Sequence, residues 1–251
     1  MCGIAGFFAL RPVSPTVAAA MQEALRPRGP DAQHAAGWDA KCVRATAAWH
    51  NALVHARLAI IDPRPEADQP MGNDRGDIWI VYNGEVYDWT ATGEELRKGG
   101  ANFRTHSDTE FILRYYETAG IEALLARVRG MFAFAIFDAK KKKVYVVRDR
   151  MGEKPLVYSH LDGEFAFGSL VRAVLPFLPP GKRSLSAEGI DAYLAHRYIP
   201  APRTVFSHIR RLENGHYLEF DLATRELTKR RYWMPAPEGG SWLTALDESV
   251  R

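Results

Sequence analysis

The order of apolar and polar positions divides the chain into short strands and a few amphipathic helices. Apolar residues over 4–8 predict a first strand that anchors the amino terminus in a core. Ser14-Pro15 then predicts a helix start, because serine caps helices and proline suits the first helical position. This helix should end at Pro27. Its apolar positions recur at helical spacing and predict one buried face, made of Val17, Ala20, Met21, Ala24 and Leu25.

Similar patterns continue through the middle of the chain. Apolar runs over 52–61 and 78–82, bounded by Pro and Gly, predict strands. Residues 107–110 read Ser-Asp-Thr-Glu, a capping box that predicts a helix here, with a second short helix over 123–128. Beyond Gly130 the pattern predicts a meander of short strands covering the core, and Ser186 then caps a helix that ends at His196. The meander strands are expected at 131–137, 144–148, 156–158 and 164–168.

This order of elements decides the fold class. Strands and helices occur in runs and do not alternate as βαβ units. This order indicates an α+β protein with sheets packed face to face and helices outside. Pro-rich segments mark a tail near 200–202 and a linker from 235, after which Ser241 caps a segment with an apolar helical face. We therefore predict one domain over residues 1–235, and a linker with a further helix over 236–251.

Composition and charge exclude several classes of protein. The 251 residues are 47% apolar and 25% charged, which is typical of a globular chain. A net charge of +3 is close to balance, and the densest basic run, 140–143, falls at an expected hairpin, so no nucleic-acid partner is predicted. The chain has no 18-residue apolar run, no export signal and only two cysteines, which predicts a cytoplasmic protein without membrane contact or disulfides. Its His and Cys residues lack metal-site spacing, so no metal is predicted.

The amino terminus carries the most reactive combination of groups. Removal of Met1 would leave Cys2 with a free α-amino group beside its thiol. An α-amine with a pKa of about 8 is roughly half neutral at physiological pH and can accept the thiol proton, unlike a lysine amine. The alternative is a buried cysteine on a first strand, since free cysteine is among the most buried residue types.

Further stretches suit such a nucleophile, and each also has a structural interpretation. Asn83-Gly84 offers a side-chain NH2 and a backbone N–H to an oxyanion, but between apolar residues it also indicates a type I′ hairpin turn. Arg57 offers a planar fork to a carboxylate, or lies on the polar face of a half-buried strand. Asp108 suits a substrate ammonium, or favours the helix start through the helix dipole. Surface salt bridges are an adequate account of the charged stretch 147–156.

Together these motifs resemble the class II glutamine amidotransferase domain of glutamine-dependent asparagine synthetases. The resemblance runs nearly end to end, and several motifs in the same order are far more specific than any one alone. Related glucosamine-phosphate and phosphoribosylamine amidotransferases share the terminal cysteine and Asn-Gly, but residues 57–62 fit the asparagine synthetase branch better. The matching stretches are 2–6, 28–31, 57–62, 83–87, 107–110, 130–134, 148–156, 198–206, 215–218 and 231–233.

The resemblance implies the four-layer αββα sandwich of N-terminal-nucleophile hydrolases. It also implies that Cys2 is the nucleophile that attacks L-glutamine, with its own amine as the base. Asn83 and Gly84 would then form the oxyanion hole.

The implied substrate contacts hold the two charged ends of glutamine. Arg57 would bind the α-carboxylate, with the Ile61 backbone nearby. Glu85 and Asp108 would bind the α-ammonium.

The sequence departs from the family pattern at two places. Pro27 stands where the family usually has a histidine, and Ser169-Leu170 stands where Ser-Glu is usual. Neither touches the implied catalytic residues, so we expect effects on local loop structure and on contact with a partner domain.

The resemblance also implies a partner. The family's synthetase half holds ATP phosphates with a Ser-Gly-Gly-x-Asp-Ser loop, which does not occur in these 251 residues. No cofactor is therefore expected in this chain. ATP and Mg are expected only in a synthetase domain of the ATP pyrophosphatase type, acting in cis or trans, and 236–251 resembles the linker and first helix that lead to it.

The implied function is the glutaminase half-reaction of an asparagine synthetase. Two alternatives remain open: a look-alike that amidates a different acid, and a non-catalytic amidotransferase-like module that serves folding or dimer contacts. Cys2, with Arg57, Asn83, Gly84 and Asp108 all in place, favours catalysis. Homodimer formation is left open, and the acceptor acid would be chosen by the synthetase half.

Overall fold

Two six-stranded antiparallel sheets lie at the centre of the structure. The structure is a computed structural model and describes residues 1–235 and 241–250. The strands in this described part are β1 (Gly3–Val13), β2 (Ala32–Trp38), β3 (Trp49–Arg57), β4 (Met71–Gly72), β5 (Ile78–Tyr87), β6 (Arg129–Asp138), β7 (Lys143–Arg148), β8 (Val157–Leu161), β9 (Glu164–Gly168), β10 (Arg210–Arg211), β11 (His216–Asp221) and β12 (Leu227–Arg231). The helices there are α1 (Pro15–Leu25), α2 (Thr90–Lys98), α3 (Asp108–Arg127), α4 (Val171–Val174), α5 (Ala187–His196) and α6 (Trp242–Val250).

The strand order places the amino terminus in the middle of one sheet. The first sheet runs β10-β8-β9-β1-β3-β2, so β1 is paired on both sides, with Gly3 opposite Ala56 of β3. The second sheet runs β12-β11-β7-β6-β5-β4, with Asn83 of β5 opposite Ala133 of β6. A central strand is hydrogen-bonded to a neighbouring strand along each of its two edges, so its backbone is held firmly and its side chains have fixed positions.

Three apolar clusters show how the layers stack. One lies between the two sheets and includes Phe8, Trp38 and Phe137. A second packs α1 and α4 against the outer face of the first sheet, and a third packs α2 and α3 against the outer face of the second. The helix, sheet, sheet, helix order confirms the predicted αββα sandwich.

The predicted helix starts are confirmed, with changes in detail. Ser14 caps α1 through the Thr16 N–H, but the buried face is centred on Ala18, Met21 and Leu25, and Ala20 is exposed. The helix ends near Leu25, because Arg28 and Gly29 close a turn onto its last carbonyls.

In α3 the Ser107 side chain accepts the Glu110 N–H at 3.3 Å, but Glu110 bonds the N–H groups of Arg104 and Thr105 instead of completing a capping box. Two helical stretches occur here, as predicted: α3 spans both, and they are separated at Gly120, whose non-helical backbone with a φ of 80° suits glycine.

Two strand predictions were wrong. The strand expected over 52–61 ends at Arg57, and the chain beyond it is a loop. The strands beyond Gly130 do not form one meander, since β6 and β7 belong to the second sheet and β8 and β9 to the first. Apolar strand patterns look alike in both sheets, so they do not say which sheet a strand joins.

At the carboxyl end, α6 coincides with the helix predicted after Ser241, whereas the predicted linker lies mainly over 236–240, outside the described residues. In the described part of the chain, none of the helices combines the length and the apolar character needed to cross a bilayer.

Candidate active site

A cavity of about 190 Å³ opens between the two sheets, next to the amino terminus. Its walls come from the residues before β1, the loop after β3, the second half of β5 and the start of α3. The fold thus brings together side chains that are far apart in sequence. All of the residues predicted from the sequence line it: Cys2, Arg57, Ile61, Asn83, Gly84, Glu85 and Asp108.

Cys2 is partly buried directly before β1. Its Sγ accepts the Leu58 N–H at 3.4 Å and faces the Leu58 carbonyl oxygen at 3.6 Å. The Cys2 carbonyl accepts from Arg28 Nε at 2.9 Å, and Ser169 exchanges hydrogen bonds with both backbone groups of Ile4, at 3.0 and 2.8 Å. These bonds fix the thiol at the cavity wall, whereas a cysteine that only packs in a core needs none of them.

Asn83-Gly84 is not a hairpin turn, so that interpretation was wrong. Both residues lie inside β5, where Gly84 is opposite Phe132. A Cβ on Gly84 would lie 2.3 Å from the Met131 carbonyl oxygen, so only glycine allows β5 and β6 to approach this closely.

The Asn83 amide is the most informative group in the site. Asn83 is 2% exposed, and among the described residues its Nδ2 has no hydrogen-bond partner. A buried unpaired donor costs roughly 1–3 kcal/mol. Because this donor belongs to the wall of a cavity that also holds a thiol, the arrangement suits an anion formed on a ligand.

Asp108 begins α3 and is nearly fully buried. Its Oδ2 accepts from the Tyr82 hydroxyl at 2.6 Å and from the Val86 N–H at 3.0 Å. Burial raises the pKa of this carboxyl, and the bonds from Tyr82 and Val86 oppose that rise. Glu85 lies at the exposed rim of the same cavity, so the cavity wall carries one buried and one exposed carboxyl group.

Arg57 ends β3 and is buried, so it does not lie on a solvated strand face. Its guanidinium pairs with Asp68 at 2.5 Å and donates to the carbonyl oxygens of Ile61, Asp62 and Arg64 at 3.4, 2.5 and 3.1 Å. These contacts pull the loop after β3 inward and explain why the strand stops at Arg57. They also place the Ile61 backbone against the guanidinium.

Several groups of the site carry no sequence signal of their own. Gln69 accepts the Tyr82 N–H at 2.6 Å and donates to Thr109 at 3.1 Å, so it ties β5 to α3 beneath the cavity. His55 is fully buried and bonds the Tyr82 carbonyl at 3.1 Å, and burial lowers its pKa to about 4. Only the tertiary structure, which brings the loop before β4, β3, β5 and α3 together, identifies these contacts.

Surface salt bridges, the structural interpretation of the charged stretch 147–156, do not account for it. Asp149 is fully buried and accepts three backbone N–H groups, those of Met151, Glu153 and Lys154, at 2.9–3.0 Å. Arg148 donates to the carbonyl oxygens of Gly152 and Lys154 at 2.5 and 2.8 Å. The two charged groups therefore shape a loop that delivers Lys154 to the cavity.

Within the described residues, no three His, Cys, Asp or Glu side chains cluster in a way that would hold a metal ion. The cavity wall carries two carboxylates that suit a ligand ammonium, a guanidinium that suits a ligand carboxylate, and an amide donor together with a thiol. This set matches an α-amino acid that also carries a reactive carbonyl.

The fold matches that of a solved amidotransferase. Glutamine phosphoribosylpyrophosphate amidotransferase from Bacillus subtilis superposes with a TM-score of 0.69 at 18% identity, over 93% of this chain and 50% of that chain. The chain therefore has the same αββα fold as this solved structure.

Residues 1–233 match the family described as "Glutamine amidotransferase domain", and the chain belongs to this family. It is similar to putative asparagine synthetase [glutamine-hydrolyzing] 2 of Methanocaldococcus jannaschii, with 33% identity over 93% of this chain and 46% of the relative. It is also similar to asparagine synthetase [glutamine-hydrolyzing] 2 of Bacillus subtilis, with 34% identity over 93% of this chain and 30% of the relative. The chain thus spans less than half the length of these curated relatives. The family resemblance inferred from the motifs is confirmed, and the enzymatic interpretation is favoured over a non-catalytic module.

Proposed function

We propose that this domain hydrolyses L-glutamine to glutamate and ammonia through a thioester on Cys2, as the glutaminase part of an asparagine synthetase. One observation carries the proposal: the buried, unpaired Nδ2 of Asn83 lines the same cavity as the Cys2 thiol. An oxyanion formed by thiolate attack is the partner that this donor lacks.

The mechanism begins once Met1 is removed. The freed α-amine of Cys2 accepts the thiol proton, and Sγ attacks the side-chain amide carbon of glutamine. The oxyanion accepts hydrogen bonds from Asn83 Nδ2 and the Gly84 N–H. The α-amine then returns its proton to the leaving nitrogen, ammonia departs, and water hydrolyses the thioester.

Substrate selection rests on the two charges of glutamine. Asp108 and Glu85 receive the α-ammonium, and the buried Asp108 contributes most because little water screens it. Arg57 receives the α-carboxylate together with the Ile61 backbone. The contact from Arg57 to the Ile61 carbonyl is its longest, at 3.4 Å, so that N–H is the one that turns to a ligand at least cost.

The released ammonia serves an ATP-dependent amidation of aspartate in a synthetase domain, present in cis or trans. The names and lengths of the relatives support this part, because their additional sequence leaves room for such a domain. ATP and Mg would bind there, no cofactor is needed in this domain, and the reaction would be cytoplasmic. Amidation of a different acid is the competing outcome, and 15N-glutamine supplied to the complete gene product with ATP and candidate acids would reveal the amidated product.

Two substitutions test the hydrolysis step. Cys2→Ala should abolish glutaminase activity without unfolding the domain. Asn83→Ala should lower kcat by about 10²–10³ with little change in KM, as expected for a lost oxyanion donor. Asn51→Ala is the matched control, since Asn51 is an equally buried asparagine whose Nδ2 bonds the Asp39 carbonyl outside the cavity. Comparable hydrolysis by the Cys2→Ala protein would remove the proposal.

Processing of the terminus gives an independent test. In the described structure Met1 lies at the cavity and holds the Cys2 nitrogen in an amide, which does not accept a proton at neutral pH. Intact mass measurement on active protein should therefore show the loss of Met1. Full activity with Met1 attached would contradict the α-amine mechanism.

A further inference from the structure

Lys154 is a buried cation that the mechanism above does not use. The residue is 7% exposed and lines the cavity together with Cys2. Among the described residues the lysines that pair with a carboxylate within 4.0 Å are Lys141, Lys143 and Lys229, whereas the Lys154 Nζ contacts the Met1 sulfur at 3.6 Å. Lysine is almost never this buried without a counter-charge, because burial disfavours its charged form.

Hydrogen bonds from the neighbouring loop residues fix the backbone of Lys154. Asp149, fully buried, accepts the Lys154 N–H at 2.9 Å, and Arg148 donates to the Lys154 carbonyl at 2.8 Å. Both backbone groups of Lys154 are thus bonded to charged side chains. A loop that only joined β7 to β8 would need neither of these two hydrogen bonds. The loop structure therefore determines where the Lys154 ammonium lies.

Removal of Met1 changes what Lys154 faces. The sulfur now in contact with Nζ is lost, and the α-amine of Cys2 becomes free at the same cavity. Two cations in a partly enclosed space repel each other, whereas a cation attracts a thiolate or an oxyanion. Lys154 therefore disfavours a protonated terminus and favours the anionic states of the reaction.

We propose, resting on the glutaminase function above, that Lys154 is a positioning residue whose ammonium keeps the α-amino group of Cys2 unprotonated and ready to accept the thiol proton. The thiol proton passes to the α-amine and then to the departing ammonia, while the thiol electron pair forms the thioester bond and the carbon–nitrogen bond breaks.

Other charged groups near the amino terminus also act on the α-amino group of Cys2. Arg28, in the turn after α1, adds a second cation at the Cys2 carbonyl. Arg57 is compensated by Asp68. The remaining titratable groups on the cavity wall are Tyr82, Glu85 and Asp108. Arg28 is only half-buried and donates to a backbone carbonyl, and Arg57 pairs with Asp68. Of these three cations in the described residues, Lys154 is the one that is nearly buried and has no acidic partner within 4.0 Å.

The test is the pH profile of kcat/KM for glutamine hydrolysis. Lys154→Met keeps the length of the stem and removes the charge, so the acid limb should move to higher pH by about one unit or more, since a tenfold change in protonation is one unit. Lys154→Arg should restore most of the parent profile. Lys140→Met, which removes an exposed charge at the far end of β6, is the control and should not move the limb.

A second measurement does not depend on turnover. Alkylation of Cys2 by iodoacetamide reports the reactive thiolate, and its pH dependence should move in the same direction in Lys154→Met. Lys154→Gln repeats both assays if the Met variant does not fold.

The outcomes separate the two proposals. If the processed parent does not hydrolyse glutamine, the proposed function fails. If the parent is active and a folded, charge-free variant keeps the parent profile in both assays, the role of Lys154 is refuted while the glutaminase proposal stands.

Discussion

Replacement of Asp108 by asparagine separates recognition of glutamine from the structural role of this residue at a helix start. Asparagine keeps the shape, and its carbonyl oxygen can still accept from Tyr82 and Val86, which now donate to a single carboxylate oxygen at 2.6 and 3.0 Å. Asparagine is also about as good as aspartate at helix starts. The substitution therefore removes the charge and little else.

The expected loss follows from burial. Asp108 is 4% exposed, so water screens its attraction for the α-ammonium only weakly. Loss of one partner of a buried, charge-assisted pair costs roughly 2–5 kcal/mol. Even the lower limit exceeds a tenfold loss of binding, which corresponds to about 1.4 kcal/mol. This contact exists in the ground state and in the transition state, so KM should rise at least tenfold with kcat little changed.

The same change should not weaken the fold near neutral pH. Burial raises the pKa of Asp108, so the folded state binds its proton more tightly than the unfolded state. The stabilising contribution is complete below the unfolded value of about 3.9 and is lost as pH rises through the raised native value. Thermal unfolding at pH 7 should give a Tm for Asp108→Asn at or above that of the parent, and this advantage should disappear below a pH of about 4.

Steady-state glutaminase kinetics, with glutamate release measured over a wide range of glutamine concentration, provide the assay. Asp138→Asn is the matched control, because Asp138 is equally buried and accepts a tyrosine hydroxyl, that of Tyr116, at 2.8 Å outside the cavity. Its KM should equal that of the parent. An unaltered KM in folded Asp108→Asn would return this aspartate to a purely structural role.

Two further substitutions have expected outcomes. Arg57→Ala should raise KM at least tenfold and also lower Tm, because the guanidinium holds both Asp68 and the loop carbonyls; kinetics and thermal unfolding measure the two effects, and an unchanged KM would show that Arg57 only shapes the loop. Gly84→Ala should destabilise the domain by about 1–3 kcal/mol as overpacking, because its Cβ would meet the Met131 oxygen at 2.3 Å; denaturant unfolding measures this, and parent-like stability would contradict the close approach of β5 and β6.

Local sequence patterns established much of this protein. Helix starts at Ser14, Ser107 and Ser186 follow from short-range capping, which needs only the residues that adjoin the cap. The class of fold, the family and every residue assigned to glutamine binding followed from ordered motifs, and the structure places all of those residues at one cavity. Their individual roles stay predictions that the substitutions above test.

Only the tertiary structure decided what distant residues do to one another. It placed Asn83-Gly84 inside a strand, divided the strands after Gly130 between two sheets, and turned the charged loop before β8 inward. The physical reason is the separation of the interacting residues along the chain. The hydrogen bonds that fix Cys2 and Ile4 join residues 56 and 165 positions apart. The burial of Lys154 without an acidic partner likewise depends on contact between its loop and the amino terminus. Burial and unpaired hydrogen-bond donors arise from such long-range contacts, so a local pattern of apolar and polar positions does not predict them.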